Sequence, residues 1–228
     1  MRRETLVFLG VVALVGFAAC AWVKADTIPL DSLFLPDANI RSGDKVFFGF
    51  GAYDSNGSRS VEANTIFVEP YQDFVSHEYG LRFSSAGFFL LPGNAVTTVF
   101  QYSVLSVDPN MLISDGTLRM TAAQIGSGRV EVVGDVYAPS GTPQLAHLLA
   151  FVDANGGSLY SHQDLGPASS VRTWTTIRLD GGPAGSGGVA SMSDFSETFS
   201  QVPEPSALVL LGLGSLLLRR RRALGGRQ

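Results

Sequence analysis

The residues able to do chemistry are few and poorly spaced for it. The 228-residue chain has three histidines, His77, His147 and His162, and one cysteine, Cys20. A zinc-protease helix needs HExxH, but His77-Glu78 has no second histidine at that spacing. His147, between Ala146 and Leu148, reads as a strand histidine with its hydrogen bonds satisfied, and His162 as a polar-loop residue near Asp164. A nucleophilic serine needs a GxSxG elbow between strand and helix. The nearest approach is Ser186 in Gly182–Gly188, with no helix pattern after it. Two carboxylates can cleave a glycosidic bond, but their separation in space decides that. The sequence therefore assigns no catalytic residue, no cofactor and no resident metal.

Two segments begin as calcium loops do, Asp54-Ser55-Asn56-Gly57 and Asp153-Ala154-Asn155-Gly156. An EF-hand loop carries oxygen ligands at positions one, three and five and glycine at six. Here glycine arrives at position four, so both read as hairpin turns of the Asn-Gly kind, which need positive φ at their centre.

The elements that must position these residues are strands. Val, Thr, Phe and Tyr recur in runs broken by Gly, Asn, Asp, Ser and Pro, and no amphipathic helical array interrupts them. Strands are predicted at 45–53, 64–70, 79–85, 87–91, 97–107, 117–125, 130–138, 144–153, 172–180 and 190–200. Alternation is plainest in 97–107, where Phe100, Tyr102 and Val104 share one face and Val99, Gln101, Ser103 and Leu105 the other. Leu118, Met120 and Ala122 likewise share a face. Gly126-Ser127-Gly128 makes a tight connection, and Asp180–Gly188 a flexible loop inside the domain. Ten short strands without βαβ alternation imply an all-β fold, an antiparallel β-sandwich of jelly-roll type.

Residues 26–201 hold this domain, long enough for one core. The chain has 16 basic and 20 acidic residues. The two terminal segments contain eight of the basic and two of the acidic ones, leaving the domain eight against eighteen, a net charge of −10. Such a surface repels phosphate backbones, so nucleic acid is not an expected partner.

Both termini read as targeting segments. Arg2-Arg3, the apolar stretch Leu6–Ala21 and Val23-Lys24-Ala25 make residues 1–25 a secretory signal peptide, cut between Ala25 and Asp26. Cleavage there removes Cys20, which suits an oxidising compartment. At the other end, Val202-Pro203-Glu204-Pro205 precedes the uncharged run Ser206–Leu218 and then Arg219, Arg220, Arg221 and Arg222. The prolines keep the peptide extended and end any preceding strand. Thirteen helical residues span about 20 Å, short of a hydrocarbon core of about 30 Å. This is a short, marginal transmembrane helix, with the arginines as its cytoplasmic stop.

That order of elements over residues 202–228 resembles the PEP-CTERM sorting signal of bacterial exported proteins. The resemblance implies recognition and processing by an exosortase, with the inner membrane as a transient anchor and the cell surface or extracellular matrix as destination. Ser42–Phe47, Tyr79–Phe83, Asp108–Asp115 and Asp194–Gln201 resemble, more loosely, exported all-β domains found ahead of such tails. A non-catalytic structural or interaction role in the envelope is the expected function, with extracellular polysaccharide as a possible partner. A surface carbohydrate-binding module is the alternative, for which Trp174, Tyr53, Tyr71, Tyr79 and Tyr160 are the available aromatics. A secreted hydrolase has no recognisable nucleophile or metal motif in its favour.

Overall fold

The computed structural model describes residues 27–203. Ala25, Asp26, Glu204, Pro205, the 206–218 run and Arg219 to Arg222 lie outside the described residues. Within them, no helix is long and apolar enough to cross a membrane.

Two seven-stranded sheets face each other. The first runs in the order β1 (Ile28–Pro29), β4 (Phe67–Gln72), β5 (Tyr79–Ser84), β14 (Val189–Pro203), β8 (Met111–Ile125) and β12 (Tyr160–Ala168), with β6 (Phe89–Leu90) also on β14. The second runs β11 (Gly156–Ser158), β10 (Gln144–Asp153), β9 (Arg129–Tyr137), β13 (Ser170–Asp180), β7 (Ala95–Ser106), β3 (Lys45–Gly57) and β2 (Asn39–Ser42). Their pairings are antiparallel. Eight strands carry the topology: β5-β14-β8-β12 lies against β7-β13-β9-β10, and the chain changes sheet at most connections between them. This is the jelly-roll order. The fold is the β-sandwich that the alternation implies.

Period-two patterning decides which side chains meet between the sheets. β7 buries Val96, Phe100, Tyr102 and Val104 and turns Val99, Gln101, Ser103 and Leu105 outward. Phe83 stacks on Phe195 with ring centroids 4.8 Å apart, meets Phe100 at 5.2 Å, and Phe50 stacks on Tyr102 at 5.4 Å. This aromatic seam joins β5 and β14 of one sheet to β3 and β7 of the other. Such pairs add about 0.5–1.5 kcal/mol each beyond area burial.

Four sequence expectations need correction. Asn56-Gly57 is no turn: it lies inside β3, where Asn56 pairs with Thr97 and Gly57 with Val96. Gly57, at φ 132°, lies so close to Ala95 that a Cβ would meet its carbonyl oxygen at 2.3 Å. The second Asn-Gly site does turn, but Ala154-Asn155 is its central pair, Asp153 pairs with Gly156, and the positive φ falls on Gly156. Asp180–Gly188 is held rather than free. Gly93 N–H donates to Gly182 O at 2.7 Å, and the Ser127 and Ser186 hydroxyls meet at 2.8 Å. His162 lies on strand β12, not in a loop.

Candidate functional site

The outward face of the first sheet carries two adjoining groups of polar residues. On β14, Phe195, Glu197 and Phe199 point inward, so Ser196, Thr198 and Ser200 point outward. Register then lines up a row across five strands: Glu69, Arg82, Ser196, Arg119 and Tyr160. Neighbouring strands lie about 4.8 Å apart, so the row spans roughly 19 Å. Arg82 pairs with Glu69 at 2.6 Å, and Arg119 with Asp73 at 2.8 Å while its guanidinium lies 4.6 Å over the Tyr160 ring. Tyr71, Tyr160, Asp194 and both arginines border a cleft of about 490 Å³.

The β4–β5 loop, 73–78, is held to this face through the Asp73–Arg119 pair. Asp73 Oδ1 accepts the N–H groups of Val75 and Ser76, its backbone N–H donates to Glu78 O, and His77 takes φ 61°. Burial alone would raise the Asp73 pKa, but these N–H groups and Arg119 outweigh it and lower the pKa. The loop is thus tied to the sheet as a charged group, and the outward-facing Thr117 and Thr198 are buried.

Beyond the loop lies the second group. Glu78 from the loop end, Asp115 on β8 and His162 on β12 place one ligand atom each within 4.8 Å of one another. Beside them, Lys45 is buried and pairs with Asp44 at 2.7 Å; its pKa is lowered by burial, with Asp44 opposing.

Between the sheets sits Glu197, fully buried, bonded by the Tyr102 hydroxyl and, at 3.1 Å, by Thr175. Burial raises its pKa to about 7 despite these hydrogen bonds. Gly134 leaves the space, since a Cβ there would come within 2.9 Å of Glu197 Oε1.

The other sequence candidates scatter. His147 is on β10 with its ring 2.6 Å from Asp135. Asp153 makes an Asx turn to the Asn155 N–H and lies 3.8 Å from Arg129. Asp54 bonds the Asn56 side chain. Of the five aromatics, Tyr71 and Tyr160 share the cleft. Trp174 faces out from the other sheet, Tyr53 packs on Phe34, and Tyr79 lies under Gly43. The tail meets the fold without a spacer: Val202 pairs with Leu112 and Pro203 with Met111. The Gln201 side chain is held by Asp44 and by Ser106 at 2.9 Å.

A jelly-roll sandwich with an outward polar cleft and a sorting peptide continuing its last strand is the class that fold and site define. Residues 201–222 match the family model described as the PEP-CTERM protein-sorting motif, so the chain carries that signal and is an exported protein sorted through it. No curated protein matches the chain. Among solved structures, it is similar to the enzymatically active domain of tailspike protein 4 of bacteriophage CBA120, with 11% identity and a TM-score of 0.29. That match covers 70% of this chain and 20% of the other, so the chain spans a fifth of the tailspike domain's length. A family 11 carbohydrate-binding module of a Clostridium thermocellum cellulase matches at 8% identity and TM-score 0.27, covering 66% of this chain and 87% of the module. A structure described under carbohydrate-binding modules of the β-sandwich superfamily matches at 6% and 0.30, covering 67% and 57%. Likenesses this weak carry no argument about function.

Proposed function

We propose that the exported sandwich is a non-catalytic binding domain of the cell surface or extracellular matrix, and that it holds a polysaccharide chain across the outer face of its first sheet. The observation that supports this is the row Glu69–Arg82–Ser196–Arg119–Tyr160 above its cleft. Sugars offer flat apolar faces ringed by hydroxyls. Tyrosine supplies an apolar ring with a polar tip, and an arginine fork supplies several donors in one plane. Each arginine here is paired with an acid, so the cleft presents directed donors without a strong net field. A row of about 19 Å accommodates several sugar units, as an extended chain requires.

Glycan-array binding of the exported protein tests this. Tyr160→Ala and Arg119→Ala are expected to weaken the best ligand at least tenfold, whereas Trp174→Ala, on the other sheet, leaves it unchanged. Equal binding by all three variants, or no glycan bound, overturns the cleft. Sorting has its own readout: mass spectrometry should find a mature C-terminus within 202–206 in cells with an exosortase and Gln228 without one. Gln228 retained in both would make the tail an anchor only.

A further inference from the structure

We propose that Glu78, Asp115 and His162 form a divalent-cation site whose chemistry suits Zn²⁺. The three residues come from different elements and stand 37 and 47 positions apart in sequence. The sheet order β5-β14-β8-β12 brings them together, and β14 between them contributes only the small side chains Thr198 and Ser200.

Each carboxylate is held from behind by one oxygen, with the other left over. Asp115 Oδ2 accepts from the hydroxyls of Ser114, at 3.1 Å, and Ser200. Asp115 Oδ1 has under 1 Å² exposed and no hydrogen-bond partner among the described residues. The Asp115 side chain as a whole is 16% exposed. A buried carboxylate oxygen left without a donor is costly, and a cation is the partner that relieves it. Glu78 Oε2 accepts from Thr198 Oγ1 at 2.7 Å, which fixes that carboxylate in the same way. Hydroxyls behind the ligand atoms are the outer support that metal sites use to orient carboxylates.

The imidazole completes the set. His162 Nδ1 lies 4.0 Å from Asp115 Oδ1 and 2.9 Å from the Thr117 hydroxyl. Ligation through Nδ1 exchanges this hydrogen bond for a bond to the cation. Closing the triangle by roughly half an ångström per ligand reaches the ~2.0–2.2 Å of zinc–imidazole and zinc–carboxylate bonds. Two carboxylates with one imidazole favour a first-row transition ion over calcium, which prefers oxygen alone. An adjoining cavity of about 200 Å³, lined by Ser76, Glu78 and Ser200 among others, leaves room for water ligands.

Charge argues the same way. Lys45, the buried cation nearby, is taken up by Asp44. Among the described residues, Glu78 and Asp115 then have no basic partner within ion-pair distance other than His162, and a dication balances them. Binding would also pin the end of the 73–78 loop, whose other end holds Arg119 of the cleft.

The test is zinc titration of the full-length protein, purified in detergent and stripped with chelator, with ZnCl₂ as the only ligand. One Zn²⁺ per chain is expected at micromolar or tighter Kd, with a zinc-dependent rise in Tm. Asp115→Asn and His162→Gln should each weaken binding at least tenfold while leaving the Tm in chelator within a few degrees. His147→Ala, which removes the exposed histidine beside Asp135, should bind as wild type. Substitution with Co²⁺ gives a visible spectrum that Asp115→Asn abolishes. No stoichiometric binding, or binding lost in His147→Ala and kept in Asp115→Asn, overturns the site. None of these readouts depends on glycan.

Discussion

Glu131 and Glu197 are two glutamates almost wholly withdrawn from water, 6% and 0% exposed, yet their carboxyls shift in opposite directions. Glu131 faces out from β9 on the second sheet. Burial alone would raise its pKa, but Arg129 and Arg178 clamp both oxygens and lower it. Glu197 faces inward between the sheets, where the partners are the hydroxyls of Tyr102 and Thr175, and burial wins. The sign follows the charge of the partner more than the depth of the site. The Glu78–Asp115–His162 group is a third case, in which one carboxylate oxygen has no hydrogen-bond partner among the described residues.

The comparison breaks most sharply at Glu197. Glu197→Ala leaves a cavity and two buried hydroxyls without an acceptor, and should cost about 3–5 kcal/mol. At about 2–4 °C per kcal/mol for a chain of this size, the melting temperature should fall by roughly 6–20 °C. A loss under about 1 kcal/mol would show that the carboxyl is not enclosed.

Next in size is a pH effect. The folded-state pKa of Glu197 is raised from 4.5 to about 7. A raised carboxyl holds its proton when folded and loses it when unfolded, so its contribution is full below pH 4.5. It declines as pH rises through about 7, amounting to about 3 kcal/mol. Glu197→Gln keeps the shape and should flatten urea-midpoint stability over that window. A slope retained in the variant would assign it to another group.

Glu131→Gln should act oppositely. Its lowered pKa means its contribution is fully present above the unfolded carboxyl's pKa and is lost as pH falls through the lower folded-state value. Because both arginines are about half exposed, the loss at neutral pH should be about 1–2 kcal/mol, vanishing in acid. Equal losses at pH 3 and pH 7 would remove the ionic reading.

The smallest effect sharpens the inner pocket. Thr175 donates to Glu197, whereas Thr173, equally buried on the same strand and beside the Tyr102 hydroxyl, makes no hydrogen bond of normal geometry through its Oγ1 among the described residues. Thr175→Val should cost about 1 kcal/mol and Thr173→Val close to nothing by chemical denaturation. Equal costs would place Thr173 in the network as well.

Much of the fold is legible because side chains alternate wherever one face of a strand is buried. β7 follows from that alone. β12 does not: Tyr160–Ala168 is an edge strand, largely polar and exposed, with Gly166 at positive φ and Pro167 breaking the pattern. Asn56-Gly57 misleads because a close cross-strand approach needs glycine as much as a turn does. Glu197 leaves a usable trace, a glutamate in the buried phase between Phe195 and Phe199. Glu78, Asp115 and His162 leave none, since no local pattern links them.

By itself, the sequence determined the sorting tail and the sandwich. A terminal signal is read as a linear peptide, and two-residue periodicity is a local consequence of where the core lies. Only the tertiary structure decided which acids are enclosed, which are clamped by arginine and which stand beside a histidine. Those depend on strand order and register, which bring residues dozens of positions apart within a few ångströms and set the dielectric around each charge.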